Sequence, residues 1–586
     1  MRSTETVATL CERFEAAVNA GDAVASEELT GTGVSNDYTW IREWRESGGT
    51  SARWRAGVLS MGGARLVQVS RPQVCQSTSD HLYALAGSAG RPQLGREIGE
   101  DELIGARVTA HHLDVSFDVP SHSVSITDVA RLTRAPTSLG VAVVRLNEYF
   151  RLSEATMAGR SVPYAQSGGF VAVPAPSQTE TSLRLRYSAR LDRRGESFFA
   201  SDEAALTAYW YPHTGRLPAT SVIRITAPHG WRSIGPGERV REAAGDGAWT
   251  SEWRNTLPVS YLTVAAGLYR ETVQTSDGVR IAAWTLGSSE ARAARMCQAA
   301  ATAVRGFGRA FANYPYSSFT VVESRVFPPA LEGYSFTLAG SGTLPDVVTH
   351  EVSHTWWGGI LPNTYTHSMW NEAFATYSEA LLDRLGGPAK SPDPGTGAWR
   401  AAATLPSGPP LRRARDAMHP SQSAIGYQKG GLVLAQLERL LGTEAMLRCL
   451  RQFVSRHTRG EAADWRDFED AVCAVAGSEW RGFFNAWLSG TETPAFALRD
   501  MRVATVAGGY RVTGSVIPSS PGFWSLAPLV LRTSGSPVRT SVGVRGEPVK
   551  FSIASRDRPV ALSLDPEGLM LRSGDLAVVA DLTGSR

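Results

Sequence analysis

The sequence predicts a multidomain α+β protein, with β-rich amino-terminal domains, a helix-bearing central domain and a carboxy-terminal β-sandwich. Three observations predict it. At 586 residues and 63.0 kDa the chain exceeds what one hydrophobic core supports. Apolar–polar alternation of period two recurs on both sides of a central region. That central region instead carries apolar stripes at helical spacing, such as Leu432, Leu437 and Leu441, which read as core.

Four segments follow in order. Residues 1–104 open with a helix-like run from Val7 to Val18, whose apolar spacing is near 3.6, and continue into strands and loops of unassigned role. Residues 105–272 form a β domain, with alternation in His112–Val119 and Thr181–Tyr187 and further core strands at Tyr209–Pro212 and Ser221–Pro228. Residues 273–490 hold the central domain. Within it, Pro394 and Gly395 mark a loop over 386–396. Residues 495–586 return to strands, as in Leu529–Thr533 and Pro559–Leu564, and make a small β-sandwich.

Composition excludes several function classes. The formal net charge is +3 from 59 basic and 56 acidic residues, with no basic tract, so nucleic acid is not an expected partner. No stretch approaches eighteen uninterrupted apolar residues, so no membrane span is expected. Cys11, Cys75, Cys297, Cys449 and Cys473 are odd in number and scattered, which argues against a disulfide-stapled scaffold. The first ten residues lack an apolar secretion core, and cytoplasm is the expected compartment. Oligomeric state is not legible.

One constellation carries chemistry. In His350-Glu351-Val352-Ser353-His354 the two histidines stand four residues apart, so a helix places both rings on one face. Two imidazoles at that separation hold a zinc ion, and Glu351 beside them takes a proton from water. Zinc needs a third protein ligand and an open fourth position. Glu372, opening the helix-like run Glu372–Leu382, is the candidate. His367, in the loop Leu361–His367, is the competing one. A metzincin would need Gly and His three and six residues after the second histidine, where this chain has Trp357 and Ile360. The reading is a zinc hydrolase with one metal per chain; the other is a buried helix with two hydrogen-bonded histidines.

The run from His350 to Glu379, with Trp356-Trp357-Gly358 and Trp370-Asn371-Glu372-Ala373-Phe374-Ala375, resembles the gluzincin zinc metallopeptidases of the aminopeptidase N and leukotriene hydrolase family. Tyr427-Gln428-Lys429-Gly430 looks like that family's Tyr-x-Lys-Gly block. The resemblance covers roughly residues 105–586 and is strongest from 350 to 434. It implies a β saddle-like domain at 105–272, a thermolysin-like zinc catalytic domain at 273–490, and hydrolysis of the amino-terminal bond of peptide substrates. It also implies roles. Tyr427 would donate to the oxyanion, where an ordinary aromatic at a helix start is the other reading. Glu332, in Pro329-Ala330-Leu331-Glu332-Gly333-Tyr334, would bind the substrate's amino terminus; it keeps the glutamate of the family's Gly-x-Met-Glu-Asn strand without its glycine and asparagine. A surface-loop glutamate is the other reading, and would favour an endopeptidase or a hydrolase of peptide-like natural products. Glu379, two turns after Glu372, would orient a ligand histidine or simply be a helix-surface acid. A non-catalytic binding module that keeps the fold is the remaining alternative.

Two departures stand out. The 17 residues between His354 and Glu372 are one fewer than is usual in the family, a change a loop absorbs cheaply. Lysine is confined to Lys390, Lys429 and Lys550, so the one inside the Tyr-x-Lys-Gly block is noteworthy, although no catalytic role falls to it.

Overall fold

Period-two alternation in the amino-terminal half resolves into sheets with two distinct faces, and the helical spacing of the centre into packed helices. The computed structural model describes residues 6–31, 34–36, 38, 40–41, 54–61, 64–70, 81–88, 91–99, 102–191, 197–207, 210–245, 247–326, 330–343, 345–386, 408–417, 420–457, 460–574 and 578–583. Cys75, Tyr209, Pro329, Lys390, Pro394 and Gly395 lie outside the described residues. The chain divides into two compact units. One comprises Met1–Arg305, Tyr314–Thr366 and Thr458–Ala462; the other comprises Gly306–Asn313, His367–His457 and Ala463–Arg586.

The first unit begins with the helix Val7–Ala20, capped by the Thr6 hydroxyl and closed by Gly21 in the left-handed conformation. It packs on an antiparallel sheet of Arg55–Met61, Ala64–Ser70, His81–Ser88 and Arg91–Ile98. Alternation decides which side chain goes where. Val67, Val69 and Tyr83 join Leu10, Phe14 and Val18 on one face. Leu66, Leu82 and Ile98 turn to the other face, where they share a core with Val141, Val143 and Phe170 of the β domain. The sheet spanning residues 55–98 is therefore built into the β domain through a common apolar layer on its described strands.

That domain is framed by an eight-stranded sheet, in which Ala219–Pro228 pairs parallel with Ala106–Asp118 and the other neighbours pair antiparallel. Trp210–Pro212 departs from expectation: Trp210 and Tyr211 are buried, but their backbone is irregular rather than extended in a sheet. Pro212 has no N–H for a ladder, and the two side chains are anchored instead by bonds to the carbonyls of Leu262 and Ser260. A five-stranded sheet follows, in the order Arg270–Ser276, Val279–Thr285, Ser318–Ser324, Phe336–Gly340 and Ala330–Glu332. Ala330–Glu332 is its edge, so the sheet delivers Glu332 to a rim.

The second unit holds the helices Trp370–Leu385, Gly430–Leu441, Thr443–Arg456 and Trp465–Ala476. Two sheets of three and four strands after residue 495 share one core, the expected β-sandwich. It is tied to the helices by Gln436, which donates to the Leu569 carbonyl at 2.7 Å and accepts from Ser525 at 2.9 Å. Phe374, fully buried on Trp370–Leu385, meets the rings of Trp370, Phe453, Trp465 and Phe468 at 4.9–5.7 Å. Phe374→Ala removes the hub of that cluster, and the expected loss is about 3–5 kcal/mol, read as a lowered denaturant midpoint of the helical unit.

Candidate functional site

In the first unit the helix Pro345–Ser353 carries His350 and Glu351. The regular helix ends one residue before His354, a difference from the sequence expectation. The chain tightens there: Thr355 N–H donates to Val352 and Trp356 N–H to Ser353, both three residues back. The stacking survives this change, with the two imidazole centroids 5.0 Å apart at 70°. Beyond His354 the chain widens, and the N–H groups of Gly359, Ile360 and Leu361 each reach back five residues. The glycines of Trp356-Trp357-Gly358-Gly359 make this turn possible. Gly358 has φ 125, and a Cβ on Gly359 would stand 2.4 Å from the Thr355 carbonyl oxygen.

The turn has a chemical consequence. It brings the Trp357 carbonyl to 2.9 Å from His354 Nδ1. A carbonyl only accepts, so Nδ1 carries the proton and Nε2 is the ring's acceptor nitrogen. Next to it, the Thr355 hydroxyl donates to the Tyr334 carbonyl at 2.6 Å, pinning the tight turn that follows Glu332. Glu332, Glu351 and His354 are 4%, 6% and 1% exposed, and one ligand atom from each lies within 4.8 Å of the others. Two carboxylates this close and this dry repel, and a positive charge among them relieves the repulsion. Glu332 is thus a buried strand-end residue and not the surface-loop acid of the alternative reading. The Tyr365 hydroxyl donates to its Oε1 at 3.4 Å.

In the second unit Glu372 sits in the first turn of Trp370–Leu385, 2% exposed, where an acid complements the helix dipole. Asn371 Nδ2 donates to its Oε1 at 3.3 Å. Glu379 lies two turns on, half-buried, while His367 is exposed. Tyr427, half-buried, falls in a π-helical turn, Ala424–Lys429, rather than in a regular helix. Wide turns of this kind recur at functional sites. The two glycines that follow explain the block's sequence. A Cβ on Gly430 would stand 2.5 Å from Ala373 Cβ, and one on Gly431 3.1 Å from Thr376 Cγ2. Glycine at 430 lets the Tyr427 turn press this closely on the helix of Glu372, and glycine at 431 spares Thr376 a small displacement.

Neither Tyr365 nor Thr355 was singled out from the sequence, and only the adjacency of Thr355 to the histidine motif offered a signal. Burial pushes the Lys429 ammonium down to about 8 from its ordinary 10.5. The unfolded chain holds that proton up to about 10.5, whereas the folded chain releases it near 8. The penalty on folding is therefore full below pH 8 and fades as pH rises toward 10.5. Lys429→Met should raise stability at pH 7 by up to about 3 kcal/mol, with the gain shrinking at pH 10, as read by denaturation at both pH values.

Residues 336–487 match the peptidase family M1 domain, so the chain carries such a domain. Aminopeptidase N of Lactobacillus helveticus is 28% identical over 174 residues, 26% of this chain and 20% of that protein. Aminopeptidase N of Streptomyces lividans is 24% identical over 237 residues, 36% and 27% of the two chains. Leukotriene A-4 hydrolase of Xenopus laevis is 28% identical over 167 residues, 25% and 27%. The chain thus spans about a fifth to a quarter of the length of these relatives. Among solved structures, aminopeptidase A of Legionella pneumophila in complex with aspartic acid superposes with a TM-score of 0.67 at 15% identity, over 80% of this chain and 60% of that one. An M1 zinc metallopeptidase from Deinococcus radiodurans gives 0.57 at 22% identity, over 66% and 95%. Both likenesses concern the fold alone, β-rich amino-terminal domains and a helical region. No helix among the described residues is long and apolar enough to cross a membrane.

Proposed function

We propose that this chain is a zinc-dependent aminopeptidase, hydrolysing the amino-terminal bond of peptides with one zinc ion held by His350, His354 and Glu372. One observation carries the proposal: in the first unit the imidazoles of His350 and His354 stand with centroids 5.0 Å apart, and the bond from His354 Nδ1 to the Trp357 carbonyl makes Nε2 that ring's metal-binding nitrogen. Two imidazoles and one carboxylate are the donor set of a catalytic zinc site with an open fourth position, and the fixed tautomer of His354 fits it. When bound, zinc lowers the pKa of water toward neutrality and polarises a scissile carbonyl.

The remaining steps belong to the chain's own residues. Glu351, buried beside His350, accepts the proton of the attacking water and passes it to the leaving amine. Tyr427 donates its phenol to the developing oxyanion, a neutral donor that gains strength as charge appears. Glu332 receives the substrate's α-ammonium by a charge-assisted bond in a dry setting, and that cation relieves its repulsion with Glu351. Glu379, seven residues after Glu372, is assigned the role of orienting a ligand histidine. Aminopeptidases among the relatives and solved likenesses support the reading. It extends to the division at 1–104, 105–272, 273–490 and 495–586, the second boundary falling inside the strand Arg270–Ser276.

Glu351→Gln should keep one zinc per chain while kcat on an aminoacyl anilide falls by about 10³ or more, whereas His354→Ala should lose the metal. Metal loss in the first variant, or turnover within tenfold of wild type, contradicts the assignment. Tyr427→Phe should lower kcat about 10²- to 10³-fold with little change in KM. Amino-acetylated substrate should be refused; equal rates on free and blocked forms would make the enzyme an endopeptidase.

A further inference from the structure

Eight residues other than glycine have positive φ among the described residues, and three of them gather around Glu332. Tyr334, two positions on, has φ 65; Tyr365 has φ 58 and Arg216 has φ 54. A left-handed backbone crowds the Cβ of a bulky residue, so such positions persist only where contacts enforce them. Each of the three is enforced. Asn363 Oδ1 accepts from the Tyr365 N–H at 3.0 Å, and His213 Nδ1 from the Arg216 N–H at 3.2 Å. The Thr355 hydroxyl holds the Tyr334 carbonyl.

The side chains carried by these turns meet. The Tyr365 hydroxyl reaches Glu332 Oε1, and Arg216 Cζ lies 5.6 Å from the centre of the Tyr365 ring. Glu332, Tyr365 and Arg216 are 4%, 5% and 4% exposed. A buried guanidinium keeps its charge. Placed over the phenol face it is attracted to the ring and makes the hydroxyl a stronger donor. The three come from separate segments: the β domain, the loop after the histidine motif, and the sheet edge. Backbone strain, a buried cation and an orienting hydroxyl thus converge on one carboxylate.

We propose that Tyr365 and Arg216 form a positioning pair for Glu332: Tyr365 holds one carboxylate oxygen, Arg216 holds Tyr365, and the pair keeps the Glu332 carboxylate in the orientation that receives an incoming α-ammonium group. The proposal rests on the aminopeptidase reading and adds to it the means by which a free amino terminus is selected. Neither residue touches the reacting atoms. Their loss acts on recognition of the amine rather than on the chemical step.

The test uses the full zinc-loaded chain. KM and kcat are measured on an aminoacyl anilide, and inhibition is measured with an amino-acid hydroxamate and its N-acetyl form, a comparison that needs no turnover of the probe. Tyr365→Phe should raise KM and weaken the free hydroxamate about fivefold, the loss of one hydrogen bond, with bound zinc unchanged and most of the effect in KM. The N-acetyl form should be little affected. Arg216→Leu should act in the same direction, and Arg216→Lys should recover part of the loss. Wild-type preference for the free amine retained in Tyr365→Phe overturns the pair while leaving the aminopeptidase reading intact. A wild-type enzyme indifferent to acetylation overturns both, and a Tyr365→Phe effect confined to kcat or zinc content overturns the positioning role.

Discussion

The ring of His354 donates through Nδ1 to the Trp357 carbonyl at 2.9 Å, and that bond decides which of its atoms is available for chemistry. Everything near it is arranged to make the bond possible. The regular helix stops at Ser353, the chain tightens and then widens, and two glycines let it fold back so that a carbonyl three residues on faces the ring. A free imidazole exchanges tautomers; this one does not, because its partner has no proton to give. The remaining nitrogen is thereby the acceptor, the form a metal site asks of a histidine, and the proposed zinc would meet a ring already oriented.

From that point the structure radiates outward through short connections. Thr355 joins the turn to Tyr334, and hence to the sheet edge that ends in Glu332. The consequence is a dense group of acids and imidazole buried from solvent. Such a group is costly unless a cation completes it, and a metal and an ammonium are the two that the proposed function would bring. Structure and chemistry therefore ask for the same charges. In the helical unit the same economy of space appears in another form, with glycines at 430 and 431 replacing side chains so that two helices touch.

Much of the site was legible in the sequence because its chemistry is local. A spacing of four residues fixes two rings on one helical face, and an acid opening a later helix can supply a third ligand. Sheet order and the core that the first sheet shares with the β domain were not legible. The contacts of Leu66 with Val141 or Phe170 join distant segments, and alternation says only that each faces an apolar partner. Trp210–Pro212 shows the limit from the other side: burial was foreseen, but aromatic and β-branched composition does not distinguish a strand from an anchored irregular segment. Arg216 and Tyr365 escaped notice because left-handed backbone at an arginine or a tyrosine leaves no trace in residue type.

X-ray absorption at the zinc edge of the purified chain tests the central claim most directly. The expected shell is two imidazole nitrogens at about 2.0–2.1 Å, a carboxylate oxygen and one further light atom, with no sulfur. A sulfur shell near about 2.3 Å, or a metal held by a single imidazole, would contradict it.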